Sequence, residues 1–167
     1  MNDKYGRWGW AKGSLLHLSI GQGDFLVTPL QMASFIATVA TKGEKLQPRL
    51  VQNREESGTV RIPLKASTWN AIHRLTFDVV NKRNGTAYDA ELARSEVRAY
   101  GKTGTAENPH GEPHAWYVGF AKRNDETIAL SIIIENGGTG GSTAAPIAAE
   151  LTKLYFGLGD HTITADP

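Results

Sequence analysis

Apolar residues recur at helical spacing from Leu30 through Met32, Ala33, Phe35, Ile36, Ala37, Val39 and Ala40. The pattern predicts a helix with almost no polar face, buried on most sides. Thr28 suits its N-cap, Pro29 its first position and Gln31 a capping box, and Lys42-Gly43 stops it. A second run, Trp69, Ile72, Leu75, Val79 and Val80, predicts a helix from about Lys65 or Ser67 to Lys82. Asn84-Gly85 ends it, with Gly85 suited to a left-handed position. From Val97 the pattern turns extended. Val97 to Ala106, Ala115 to Lys122 and Thr127 to Glu135 read as three strands, the last two joined as a hairpin by Arg123-Asn124-Asp125-Glu126. Thr127 to Ile134 is the most β-prone run and reads as a central strand. A tight turn, Gly137 to Gly141, leads into a final helix from roughly Ser142 to Phe156, with Ile147, Leu151, Leu154 and Tyr155 as its apolar stripe. Tyr5 to Asp24 is rich in Gly and Trp and closes in a loop, Ser19 to Asp24. Gln47 to Ile62 reads as a short strand pair or an irregular connection.

Helices, then three sequential strands, then a helix define an α+β class: a small antiparallel sheet packed with helices. An apolar strand such as Thr127 to Ile134 is poorly suited to an exposed edge, the first sign of a partner strand outside the sequence. The 167 residues suit one domain or part of a larger one. With 40% hydrophobic and 21% charged residues, and 18 Lys+Arg against 17 Asp+Glu, the chain is neither a disordered tail nor a dedicated nucleic-acid binder. It has no cysteine, which excludes disulfides, thiolate zinc sites and cysteine nucleophiles. The longest uncharged run, Phe25 to Thr41, is too polar for a membrane span, and Met1 to Arg7 lacks the apolar core of a signal peptide.

The segment with the most chemistry is Tyr100-Gly101-Lys102-Thr103-Gly104-Thr105-Ala106-Glu107. Strand alternation puts Thr103 and Thr105 on one side and Lys102 on the other. Gly104 removes a side chain where another backbone must approach. Such a strand at a sheet edge can pair with an extended peptide. Its hydroxyls and Lys102 suit a carboxylate, and the N–H of Thr105 can point at a developing oxyanion. Alone, Lys-Thr-Gly is a weak signal. It gains weight from His17-Leu18-Ser19-Ile20-Gly21-Gln22-Gly23, Val27-Thr28-Pro29-Leu30-Gln31-Met32-Ala33, Asn84-Gly85-Thr86-Ala87, His114 to Ala121 and Glu135-Asn136-Gly137-Gly138. In order and spacing these segments, over roughly Tyr5 to Gly157, resemble the C-terminal half of the transpeptidase domain of class B penicillin-binding proteins of the PBP2 type.

The resemblance implies a partial penicillin-binding/β-lactamase-like fold, with residues 1–167 as the C-terminal portion of the domain. It implies a D,D-transpeptidase that cross-links peptidoglycan stem peptides ending in D-Ala-D-Ala and is acylated by β-lactams, with no cofactor and no metal. Lys102 would organise the polar network at the nucleophile, and Thr103 and Thr105 would hold the donor carboxylate. Gly104 would lie on the same cleft wall, and the Thr105 N–H would supply half the oxyanion hole. Trp116 is a candidate cleft-wall residue. The parent would work at the periplasmic face of the inner membrane. One departure is large: no serine here is followed by Lys at the fourth position or by Asn at the third, so Ser-x-x-Lys and Ser-x-Asn are absent. Both lie upstream in the family, and without them the chain alone is expected to be inactive. Two other readings stand beside this one: part of a β-lactamase or β-lactam sensor, and a non-catalytic module pairing with another chain, or a second copy, through open sheet edges. His110, Glu112 and His114 lie among Pro109, Gly111 and Pro113 and read as a solvated loop in preference to a zinc site.

Overall fold

The computed structural model describes residues 12–23, 26–45, 47–49, 60–89 and 91–158. The start of the Gly- and Trp-rich segment, the Arg54 to Gly58 stretch and the tail after Gly159 lie outside the described residues. In chain order the elements are α1 (Lys12–Ser19), α2 (Pro29–Ala40), β1 (Glu44–Lys45), β2 (Val60–Arg61), α3 (Ala66–Asn81), a 3-10 turn (Leu92–Arg94), β3 (Arg98–Ala106), β4 (His114–Arg123), β5 (Glu126–Ile134), a π-helical turn (Gly140–Ala144) and α4 (Ala145–Phe156).

The main sheet is antiparallel with order β3-β4-β5, and β1 and β2 form a separate two-stranded pair. Glycine, alanine and aromatic positions alternate along β4, which is buried on both faces. Ala115, Tyr117 and Ala121 face α4, packing with Ala144, Ala145, Ala148 and Phe156. Val118 and Phe120 face the other way, toward Ile36, Val39 and Ala40 of α2 and Trp69 of α3. The sheet is therefore covered by helices on both sides. His73 of α3 lies against the rings of Tyr100 and Phe120, and its Nε2 meets the Val39 carbonyl at 2.7 Å, which ties α3 to α2.

The α2 start is as read. The Thr28 hydroxyl accepts from the Gln31 N–H at 3.2 Å, and the Gln31 side chain accepts from the Thr28 N–H at 2.8 Å. Lys42 and Gly43 end the helix at φ of 55° and 107°. The strand pair at Gln47 to Ile62 is formed by Glu44–Lys45 and Val60–Arg61, so its first strand begins earlier than the sequence suggests.

Lys12–Ser19 is helical, an element that no capping signal or apolar stripe marks in the sequence. Four readings need correction. Helix α2 is not buried on most sides: Leu30 is half exposed and Phe35 more than half, because only the Ile36, Val39 and Ala40 face meets the sheet. Gly85 does not adopt positive φ. It is needed because a Cβ there would strike the Val79 carbonyl and lie 2.7 Å from the Asp78 carbonyl. The central strand is β4, with β5 at an edge among the described residues. Finally, α4 buries its small residues and leaves Ile147, Leu151, Leu154 and Tyr155 exposed.

Candidate active-site wall

Strand β3 pairs only with β4 among the described residues, so its other edge is open. In a strand the N–H and C=O of one residue point to the same edge, and the next residue's point to the opposite one. Three side-chain contacts show which residues face outward. The Asn81 amide donates to the Ala99 carbonyl at 2.8 Å. The Lys102 ammonium donates to the Thr103 carbonyl at 2.6 Å. The Gln22 amide donates to the Thr105 carbonyl at 2.9 Å and accepts from the Glu107 N–H at 3.4 Å. Residues 99, 103, 105 and 107 thus present their peptide groups to the open edge. By the same alternation, the N–H groups of Thr103 and Thr105 point there.

Thr103 and Thr105 share one side of the strand, as the alternation predicts. The Thr103 hydroxyl lies 2.7 Å from the Thr86 hydroxyl. The Thr105 hydroxyl accepts from the Gly140 N–H at 3.4 Å. No backbone approaches where the Gly104 side chain would stand: a Cβ there would meet the Trp116 Cβ at 3.2 Å, and the glycine that a close backbone contact requires is Gly140. A Cβ on Gly140 would strike the Gly104 and Trp116 carbonyls, so only glycine lets the π-helical turn rest on the β3 and β4 backbones. π-helical turns of this kind are frequent at functional sites. Trp116 pairs with Gly104 and is half-buried. Lys102 is exposed.

Lys102, Thr103, Gly104, Thr105 and Trp116 are thus brought together at one end of the sheet. Sequence reading did not single out Gln22, Thr86 or Gly140 for a role. Gln22 and Thr86 lay inside motifs it quoted, but their contacts cross long separations. Beside this strand, residues 85–89 and 91–94 are fastened by several contacts. The Ala87 and Asp89 N–H groups donate to Val79 and Val80 at 3.1 and 3.2 Å. The nearly buried Lys153 ammonium meets Asp89 at 3.1 Å, and Glu91 and Glu150 at 3.0 Å each. Burial pulls its pKa down, but hydrogen bonds to Glu150, Glu91 and Asp89 outweigh that and hold it above the ordinary lysine value.

The His110 to His114 loop is stitched by other contacts. His114 Nδ1 accepts from the Asn136 N–H at 3.0 Å, and Asn108 donates to the Asn136 side chain at 2.8 Å. Among the described residues no three His, Cys, Asp or Glu side chains gather as a metal would require.

Residues 2–153 match the family model described as the penicillin binding protein transpeptidase domain. The chain belongs to this family. Its relatives are of the PBP2 type. The peptidoglycan D,D-transpeptidase MrdA of Haemophilus influenzae is 31% identical over 174 residues, covering 88% of this chain and 26% of that protein. The crystal structure of Pseudomonas aeruginosa PBP2 in complex with WCK 5153 has a TM-score of 0.79 and 30% identity, covering 98% of this chain and 38% of the other. Penicillin-binding protein A from M. tuberculosis, as a ceftriaxone acyl-enzyme complex, has a TM-score of 0.68 and 29% identity, covering 82% of this chain and 34% of the other. The chain therefore spans about a quarter of the curated relative's length.

Proposed function

We propose that the chain forms one wall of the penicillin-binding cleft of a PBP2-type D,D-transpeptidase. The observation that carries this reading is the open edge of β3, where two threonine hydroxyls and the outward Thr105 N–H sit beside Lys102. The substrate class is a peptidoglycan stem peptide ending in D-Ala-D-Ala, with β-lactams as mimics. The other wall and the nucleophile come from the family's upstream half, where Ser-x-x-Lys and Ser-x-Asn lie. The serine oxygen attacks the penultimate D-Ala carbonyl while the Thr105 N–H donates to the oxyanion that forms; the peptide bond to the terminal D-Ala then breaks, and that residue leaves as an amine carrying the proton taken from the serine. Lys102 supplies positive charge beside the serine network, and Thr103 and Thr105 hold the terminal carboxylate. Gly104 leaves the face of the strand bare beside Trp116, its cross-strand neighbour. The complete enzyme works at the periplasmic face of the inner membrane. No helix among the described residues is long and apolar enough to cross a membrane.

Intact mass after incubation with a penicillin tests the reading. The chain alone is expected to show no adduct, and the complete domain that contains it to gain one penicillin. Thr105→Pro, which removes the N–H, lowers the acylation rate by about 100-fold, whereas Thr105→Ala, which keeps it, loses less. A stoichiometric adduct on the chain alone, or an unreactive complete domain, would refute the proposal. A second reading, pairing with another chain through a sheet edge, draws on the apolar strand β5 at the edge of the described sheet.

A further inference from the structure

From the contact between the Thr86 and Thr103 hydroxyls we infer that Thr86 is a positioning residue, turning Thr103 into a hydrogen-bond donor toward the carboxylate of the cleft's ligand. This inference rests on the cleft reading above and assigns a task to a residue outside the Lys-Thr-Gly strand. The argument is one of hydrogen counting. A carboxylate only accepts hydrogen bonds, and a hydroxyl has a single hydrogen. The two hydroxyls are 2.7 Å apart, and in the free protein either can donate. Once Thr103 gives its hydrogen to a carboxylate, the contact survives only if Thr86 donates to Thr103. The result is a chain from Thr86 through Thr103 to the anion, in which each hydrogen bond strengthens the next.

Thr86 is held for this task. Ala87 beside it donates to the Val79 carbonyl at 3.1 Å, and a Cβ on Gly141 would lie 2.7 Å from the Thr86 carbonyl, so the π-helical turn closes against it. Thr105 is arranged alike by a different donor. The Gly140 N–H, which has no accepting role, points at the Thr105 hydroxyl oxygen and leaves that hydroxyl's hydrogen free to turn outward. Both hydroxyls of the wall are thus approached from behind by a group that can donate.

The test compares a penicillin with its methyl ester, which lacks the anionic carboxylate, in acylation of the complete domain containing this chain. Thr86→Val keeps the shape and removes the hydroxyl. It is expected to slow acylation by the acid about fivefold and to leave the ester unchanged. Thr86→Ser restores the acid rate. In a Thr103→Ala background, Thr86→Val has no further effect on the acid. A lesion that merely loosened the fold would slow acid and ester together, and that result overturns the inference. So does failure of Thr86→Ser to rescue. If the unsubstituted domain takes up no penicillin at all, the cleft reading falls first and this inference with it.

Discussion

Lys153 sits almost out of water, its side chain 7% exposed, with three carboxylates within hydrogen-bond distance. Two of them, Asp89 and Glu91, belong to the segment that carries Thr86, and the third, Glu150, belongs to α4. Asp89 is also occupied locally, its carboxylate accepting the Glu91 and Leu92 N–H groups at 3.0 and 2.8 Å to start the 3-10 turn. Removing the ammonium leaves three like charges facing one another around a cavity. Lys153→Ala is expected to cost about 2 kcal/mol, less than the roughly 3–5 kcal/mol of breaking a fully buried pair, because Glu91 and Glu150 keep about half their exposure. Urea unfolding measures it, and an unchanged midpoint would mean the cluster is ornamental. Ser131 is the contrasting case. Its hydroxyl is buried without a partner among the described residues, and nothing in the structure explains it.

At the scale of elements, β3 shows how an unpaired strand edge is managed without a neighbouring strand. Side chains of Asn81, Lys102 and Gln22 take its outward carbonyls one by one. The Gln22 amide, by donating to Thr105 and accepting from Glu107, makes the two bonds that one residue of a parallel strand would make. Gln22→Ala is therefore expected to speed hydrogen exchange at the Glu107 amide while leaving amides on the β4 side, such as Gly104, protected. Equal exchange before and after the substitution would show that Gln22 does not hold the edge. The cap of α2 and the strand runs were readable in the sequence because they depend on neighbours a few residues apart: Thr28 with Gln31, or Asn124 in its hairpin turn at φ of 54°. The buried face of α4 was not. Hydropathy favours the large residues Ile147, Leu151, Leu154 and Tyr155, yet the helix turns Ala145, Ala148 and Ala149 to the sheet, where β4 offers Ala115 and Ala121 at close range. Small residues on both sides let backbones approach, a preference that depends on the opposite surface and leaves no trace in one segment's period. The wall's strand was legible from Lys102 to Glu107. Its helpers were not, since Gln22 lies 83 positions from Thr105 and Thr86 lies 17 from Thr103.

For the whole molecule, the apolar surfaces left partly uncovered among the described residues include the free edge of β5 with its Ile132-Ile133-Ile134 run and the outer face of α4. Partly exposed, β-branched and at an edge, β5 is the kind of strand that recruits another. In the cleft reading the family's upstream half supplies that neighbour. The chain by itself is then expected to elute at a larger apparent size as its concentration rises, and adding the upstream half as a separate polypeptide should suppress the shift. A concentration-independent monomer with slowly exchanging β5 amides would contradict this. Family membership and a partial penicillin-binding fold stand independently of that outcome, because they rest on the match over residues 2–153 and the TM-score of 0.79.

The seat of Gly140 on the β3 and β4 backbones also has a mechanical consequence. Its N–H reaches the Thr105 hydroxyl at 3.4 Å, near the outer limit at which such a bond counts as made. A slide of the α4 start by a few tenths of an ångström would break it. The far end of that helix, where Leu154 and Tyr155 are partly exposed, lies about three helical turns from this contact.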